Sequence, residues 1–175
     1  MSLVVETGEG LENADSYVSI DEATAYVAAF YFPTDAAAIA WNAALEEDAA
    51  DAEVALRRST RDLDTIYAGS FVSKPLTSIQ SLAFPRSGID GIPLLLKNAT
   101  IELALLALTG FDPIGPGDKS GEIESEKQKL GPLEVETKYF YPSDTVADEA
   151  RKVSVLLAPL LKSSATAVNI DLVRG

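Results

Sequence analysis

Residues 94–108, "LLLKNATIELALLAL", decide how this chain can fold. Leucine and alanine dominate the stretch, both strong helix formers, and no glycine or proline interrupts it. Pro93 stands where a first-turn proline is tolerated, and Gly110 marks the far end. The segment is apolar nearly all round, so it cannot lie on a surface; other helices must enclose it. It is therefore the expected central core helix.

The enclosing helices carry their own signals upstream. In "SIDEATAYVAAF", Ser19 and Glu22 have capping-box spacing, and Ala23, Tyr26, Val27 and Phe30 form one stripe. "TDAAAIAWNAAL" follows, with Thr34 as cap and Ile39 and Trp41 as its bulky residues. The next helix, residues 48–68, aligns Ala52, Leu56, Ser59, Leu63 and Ile66 or Tyr67 before Gly69. Residues 70–93 hold three prolines and read as an ordered loop with one short helical turn at "TSIQSL".

Downstream, "GFDPIGPGDKSG" connects to a stretch of different character, residues 121–140. There "EIESEKQK" and "LEVETKYF" flank a Gly-Pro and alternate charged with β-branched residues, the pattern of a β-hairpin. Leu133, Val135, Thr137 and Tyr139 share one face; Glu134, Glu136 and Lys138 share the other. A last helix begins near Ser143, with Val146, Ala150, Val153, Leu156 or Leu157, and Leu160 in register, and Pro159 ends or kinks it. The tail places Val168, Ile170 and Leu172 on one face at strand period. The expected fold is mainly α: a single-domain bundle of about four to five helices over residues 1–162, with a hairpin arm at 121–140 and an extended tail at 163–175.

Composition excludes several functions. The 175 residues include no histidine and no cysteine, which removes Ser-His-Asp and Cys-His nucleophiles and the usual zinc sites. Neither phosphate-binding glycine pattern, "GxxxxGK[ST]" or "GxGxxG", occurs. The acids at 46–48 with Asp51 and Glu53 sit where a helix begins, so they answer its dipole rather than a metal. No catalytic, cofactor or metal residue is expected, and the chain reads as no enzyme. The longest apolar runs are far short of a membrane span, and no signal peptide is apparent.

Charge argues against a general grip on nucleic acid. Lys and Arg number 14 against 27 acids, a net −13, whereas nucleic-acid binders neutralise phosphates with an excess of cations. The one basic cluster is "RRSTR", Arg57, Arg58 and Arg61, with Glu53, Asp62 and Asp64 in reach, which predicts surface ion pairs.

The order of "NADSYVSIDEATAYV", the tryptophan helix, "RRSTRDLDTIY", "SLAFPRSGI", "LKNATIELALLAL" and "EKQKLGPLEVE" resembles a group of tailed-phage proteins. That group is labelled DnaT-like single-stranded-DNA-binding proteins, and its pattern also looks like the head-tail connector (adaptor, head-completion) proteins of long-tailed phages. The resemblance spans residues 3–161; "SLAFPR" and "KLGPLEVE" are its most specific words. It implies a homo-oligomeric ring, typically of twelve subunits, in the virion neck after synthesis in the host cytoplasm. One side of the ring meets the capsid portal, and the other receives the stopper and tail-terminator proteins. No membrane is involved. DNA passes through the lumen without specific binding, which suits like-charged walls.

On that reading Leu133, Val135 and Tyr139 of the hairpin contact a neighbouring subunit or cover the subunit's own helices. Arg86 either caps a helix C-terminus or makes an intersubunit ion pair. The tail lies beyond the resemblance: a terminal strand without a hairpin partner leaves its backbone groups unpaired, so Val168, Ile170 and Leu172 are expected to order on another chain, most naturally the portal, the other reading being a frayed terminus. The alternative from a different class is a single-stranded-DNA-binding replication protein, with Tyr139 to Tyr141 stacking on bases.

Overall fold

Five helices and one two-stranded ribbon account for the regular structure among the described residues, which are 2–46, 49–112, 126–130, 133–137 and 150–162 of this computed structural model. Helix α1 spans Ile20–Phe30, α2 Ala36–Ala44, α3 Ala50–Tyr67, α4 Leu94–Leu108 and α5 Arg151–Leu157. Strands β1 (Glu126–Leu130) and β2 (Leu133–Thr137) pair antiparallel. The chain is mainly helical, as its pattern predicts.

Helix α4 lies at the centre. Eight of its residues, from Leu96 to Leu105, are buried, and α2, α3 and α5 pack against it. The stripe predicted for α3 is buried too: Ala52, Leu56, Ser59, Leu63 and Tyr67 all face in. Trp41, Val153 and Leu157 join α4 from the other helices in one hydrophobic cluster. Full burial of such side chains contributes roughly 1.5–3 kcal/mol each, the main favourable term holding the helices together.

The capping signal of α1 is realised in full. Ser19 Oγ accepts from Glu22 N, and Glu22 Oε2 accepts from Ser19 N at 2.9 Å, closing the capping box. Glu22 also pairs with Lys97 of α4, and although burial opposes it, the Lys97 and Ser19 bonds hold its carboxyl below the usual range. A depressed carboxyl contributes stability above its unfolded pKa and loses it as pH falls through the folded value. Glu22→Gln should therefore lower the stability at pH 7 by less than about 1 kcal/mol, because the pair is part-exposed. The gap from the wild type should begin to narrow near the unfolded Glu pKa, about 4.3, and close as pH falls through the lower folded value; calorimetry across that range checks it.

Four local readings differ. Asp35, not Thr34, occupies the N-cap of α2, and its carboxylate accepts from Phe32 N in the preceding turn. Ile39 points outward, 56% exposed, because Ala38, Trp41 and Ala44 take the inward face. Phe30, expected on the buried stripe of α1, is the last helical residue and lies exposed; Tyr31 turns in instead. "TSIQSL" forms no helical turn. Thr77 and Gln80 exchange side chain for backbone, Thr77 N to Gln80 Oε1 and Gln80 N to Thr77 Oγ1, which competes with helical bonding.

The chain after α5 continues as a 3-10 turn over Ala158–Leu160, which accommodates Pro159. It then pairs with the start of the long loop: Val72 N donates to Leu160 O, and Lys162 N to Ser70 O. In the ribbon, Lys127 stands opposite Glu136 and Lys129 opposite Glu134, so paired positions carry opposite charges. The expected start of the last helix near Ser143, with Val146, falls outside the described residues, as does the tail 163–175.

Candidate interaction surface

Along α3, Val54, Arg57, Arg58, Arg61 and Thr65 recur at helical spacing and so share a face. Each arginine is paired with a carboxylate. Arg57 Nε meets Asp15 Oδ2 at 2.7 Å and its Nη2 meets Glu53 at 2.9 Å, and the Asp15 bond above all raises its pKa. Arg58 reaches Asp112 at 3.0 Å and, more loosely, Asp62 at 3.7 Å. Among the described residues the Arg61 guanidinium bonds only Asp62 Oδ1, at 3.2 and 3.3 Å, and its side chain is 72% exposed. The predicted ion pairs form, with one change of partner: Asp64 binds no arginine of the cluster.

Beside this face opens a cleft of about 750 Å3. Its walls are α3, the N-terminal segment at Ala14–Asp15, and the loop at Ser81–Leu82. Ser81 N and Oγ donate to Leu11 O and Ala14 O, which fixes the loop against the N-terminal segment. Asp64 also lines the cleft, but both its oxygens are engaged, by Tyr17 Oη at 2.6 Å and Ala83 N at 2.7 Å. Burial raises the Asp64 pKa against those two donors; burial and then the Asp64 charge push the Tyr17 phenol far up.

Two further polar clusters are internal. Arg86 is 5% exposed and lies against the rings of both Phe71 and Phe84. Its Nε donates to Val72 O, Nη1 to Ala83 O and Nη2 to Ser73 O. Neither expected role, helix C-cap or intersubunit ion pair, describes this placement. Its five donors suit a loop whose carbonyls turn inward. Glu102, the carboxylate inside the apolar helix α4, accepts from Tyr26 Oη and Tyr31 Oη at 2.6 Å each, and from Lys152 of α5. Burial first, then the Glu102 bond, raises both phenols.

Of the other residues singled out by sequence, Leu133 and Val135 lie in β2, opposite Leu130 and Gln128. Tyr139, Val168, Ile170 and Leu172 lie outside the described residues, as do Phe140 and Tyr141. Sequence reasoning missed a feature at the end of α1. Phe30 and Phe32 are 69% and 76% exposed, flanking Tyr31, and Phe30 packs on Tyr26 with ring centroids 4.7 Å apart. The signal was available: "FYFP" ends the helix, and alternate residues around an inward Tyr31 must point away.

Among the described residues no group of acids could hold a metal ion, and no helix is long and apolar enough to cross a membrane. A family model described as "Putative DnaT-like ssDNA binding protein" matches residues 1–175. Neither the curated proteins nor the solved structures contain a match. The family's description favours the single-stranded-DNA reading, and no comparison supplies a relative from the phage neck.

Proposed function

The chain belongs to the DnaT-like single-stranded-DNA-binding family, and from that premise we propose that it works as an assembly subunit, not as a DNA-gripping protein. Its place is the neck of a tailed phage, as an adaptor ring between the portal and the stopper or tail proteins. The observation that carries this reading is the state of six of its 14 cations. All three arginines of the basic cluster face carboxylates, Arg86 is buried on carbonyls, and Lys97 and Lys152 pair with Glu22 and Glu102. Phosphates would have to displace those acids against a net charge of −13. The role is structural rather than catalytic. DNA passes the ring without being held, and Leu133, Val135 and Tyr139 of the hairpin and Val168, Ile170 and Leu172 of the tail serve contacts between chains.

The family description speaks for a second reading, single-stranded-DNA binding, and Phe30 and Phe32 give it a physical basis. Exposed aromatic rings can stack on successive bases whatever the sequence. One titration separates the two. A fluorescein-labelled oligo-dT should show no anisotropy change with micromolar protein at physiological salt. Submicromolar binding with a steep negative salt slope would establish the second reading in place of the first.

A further inference from the structure

Asp15 and Glu53 divide their carboxylate oxygens in the same way. Asp15 Oδ2 accepts from Arg57 Nε at 2.7 Å, and its Oδ1 accepts from the backbone N–H of Val4 at 2.8 Å. Glu53 Oε2 accepts from Arg57 Nη2 at 2.9 Å, and its Oε1 from the N–H of Leu3 at 3.3 Å. One guanidinium thus orients two carboxylates, and each carboxylate holds one amide of the N-terminal segment. The Val4 carbonyl completes the link by accepting from Asp15 N and Ser16 N. The three charged side chains are only part-buried, between 20% and 32% exposed. Glu6 anchors the segment differently. It is 2% exposed, its N–H donates to Ser16 O, and its carboxylate accepts the amides of Gly8, Gly10 and Leu11. Gly8 in turn lies so close to the turn before α4 that a Cβ on it would stand 2.8 Å from Gly91 Cα.

We propose that residues 3–5 are a strap latched to α3 by Arg57, through Asp15 and Glu53, which opens about a hinge at Glu6 while the rest of the domain stays folded. Part-exposed ion pairs weaken as salt screens them, whereas a buried carboxylate bonded to three amides is screened much less. Of Leu3, Val4 and Val5, all half-buried, only Leu3 packs on the hydrophobic cluster, so opening gives up little apolar burial. Asp15 also walls the cleft beside α3, and an open strap leaves that wall without its tie to Val4. Arg57 of the basic cluster then serves its own chain, whether the protein builds a ring or binds DNA.

Amide hydrogen exchange of the full chain, read residue by residue by NMR, tests the latch. Raising salt from roughly 0.01 M to roughly 1 M shortens the Debye length from about 30 Å to about 3 Å. The amides bonded across the strap, those of Leu3, Val4, Asp15 and Ser16, should then exchange about fivefold to thirtyfold faster, the range that one or two part-exposed ion pairs supply. Those of Gly8, Gly10 and Leu11, and those of α4, should keep their rates. Arg57→Gln should show at low salt the strap rates that the wild type reaches at high salt, and added salt should no longer change them. The α4 amides report whether that variant is destabilised as a whole; if they also speed up, the wild-type salt series decides alone. Strap amides that ignore salt in the wild type overturn the latch. An equal rise at Gly8, Gly10 and Leu11 overturns the hinge at Glu6, and the proposal with it.

Discussion

Replacing Arg86 by alanine should lower the stability of the chain by about 3–5 kcal/mol. One guanidinium satisfies three carbonyls, those of Val72, Ser73 and Ala83, from a position 5% exposed. Truncation leaves those acceptors without partners, and each buried orphan costs roughly 1–3 kcal/mol before water or rearrangement offsets part of it. It also removes the group packed against both Phe71 and Phe84, whose rings meet edge-on at 5.0 Å. For a domain of this size, that loss is on the order of a 10 °C fall in thermal midpoint. Arg86→Lys should recover less than half, since one ammonium on a flexible stem cannot reproduce three bonds fixed by a planar fork. A lysine variant as stable as the wild type would mean that packing, not the fork, gives Arg86 its value.

The second large effect is expected at Glu102. Its carboxylate gathers Tyr26 and Tyr31 from the end of α1 and Lys152 from α5 onto the central helix. Glu102→Ala should cost about 2–4 kcal/mol, because two phenols lose a charged acceptor and a cavity opens beside them. Glu102→Gln should cost less: one amide oxygen still accepts, but its NH2 then faces groups that are themselves donors. Lys152→Met should cost below about 1 kcal/mol, since its side chain is 55% exposed and solvent screens the pair. Chemical denaturation of the three variants gives the order. A Lys152 effect as large as that of Glu102→Ala would place the energy in the ion pair instead of in the tyrosine bonds.

Sequence alone determined the features that depend on neighbours along the chain. The helices α1, α3 and α4 follow from periodicity, a capping box and the absence of breakers, because helical bonds and caps join residues three or four apart. The buried stripe of α3 and the core position of α4 were legible for the same reason, since burial must follow an apolar face. The antiparallel ribbon announced itself by alternation about a Gly-Pro.

What tertiary structure decided is where the polar residues go. No sequence pattern marks Arg86 as a buried clamp or Glu102 as the acceptor for two tyrosines; two of the three carbonyls that Arg86 holds lie 13 and 14 residues away, and the tyrosines of Glu102 lie 71 and 76 away. Asp64 belonged, by spacing, to the arginine cluster, yet the fold brings Tyr17 and Ala83 to it first. Phe30 fitted the buried stripe of α1 until the helix stopped and Tyr31 took the inward place. A side chain at the end of an element is buried or exposed by what arrives opposite it, and that is a property of the packed molecule. Periodicity fixes a direction from the helix axis; only packing fixes whether anything stands there.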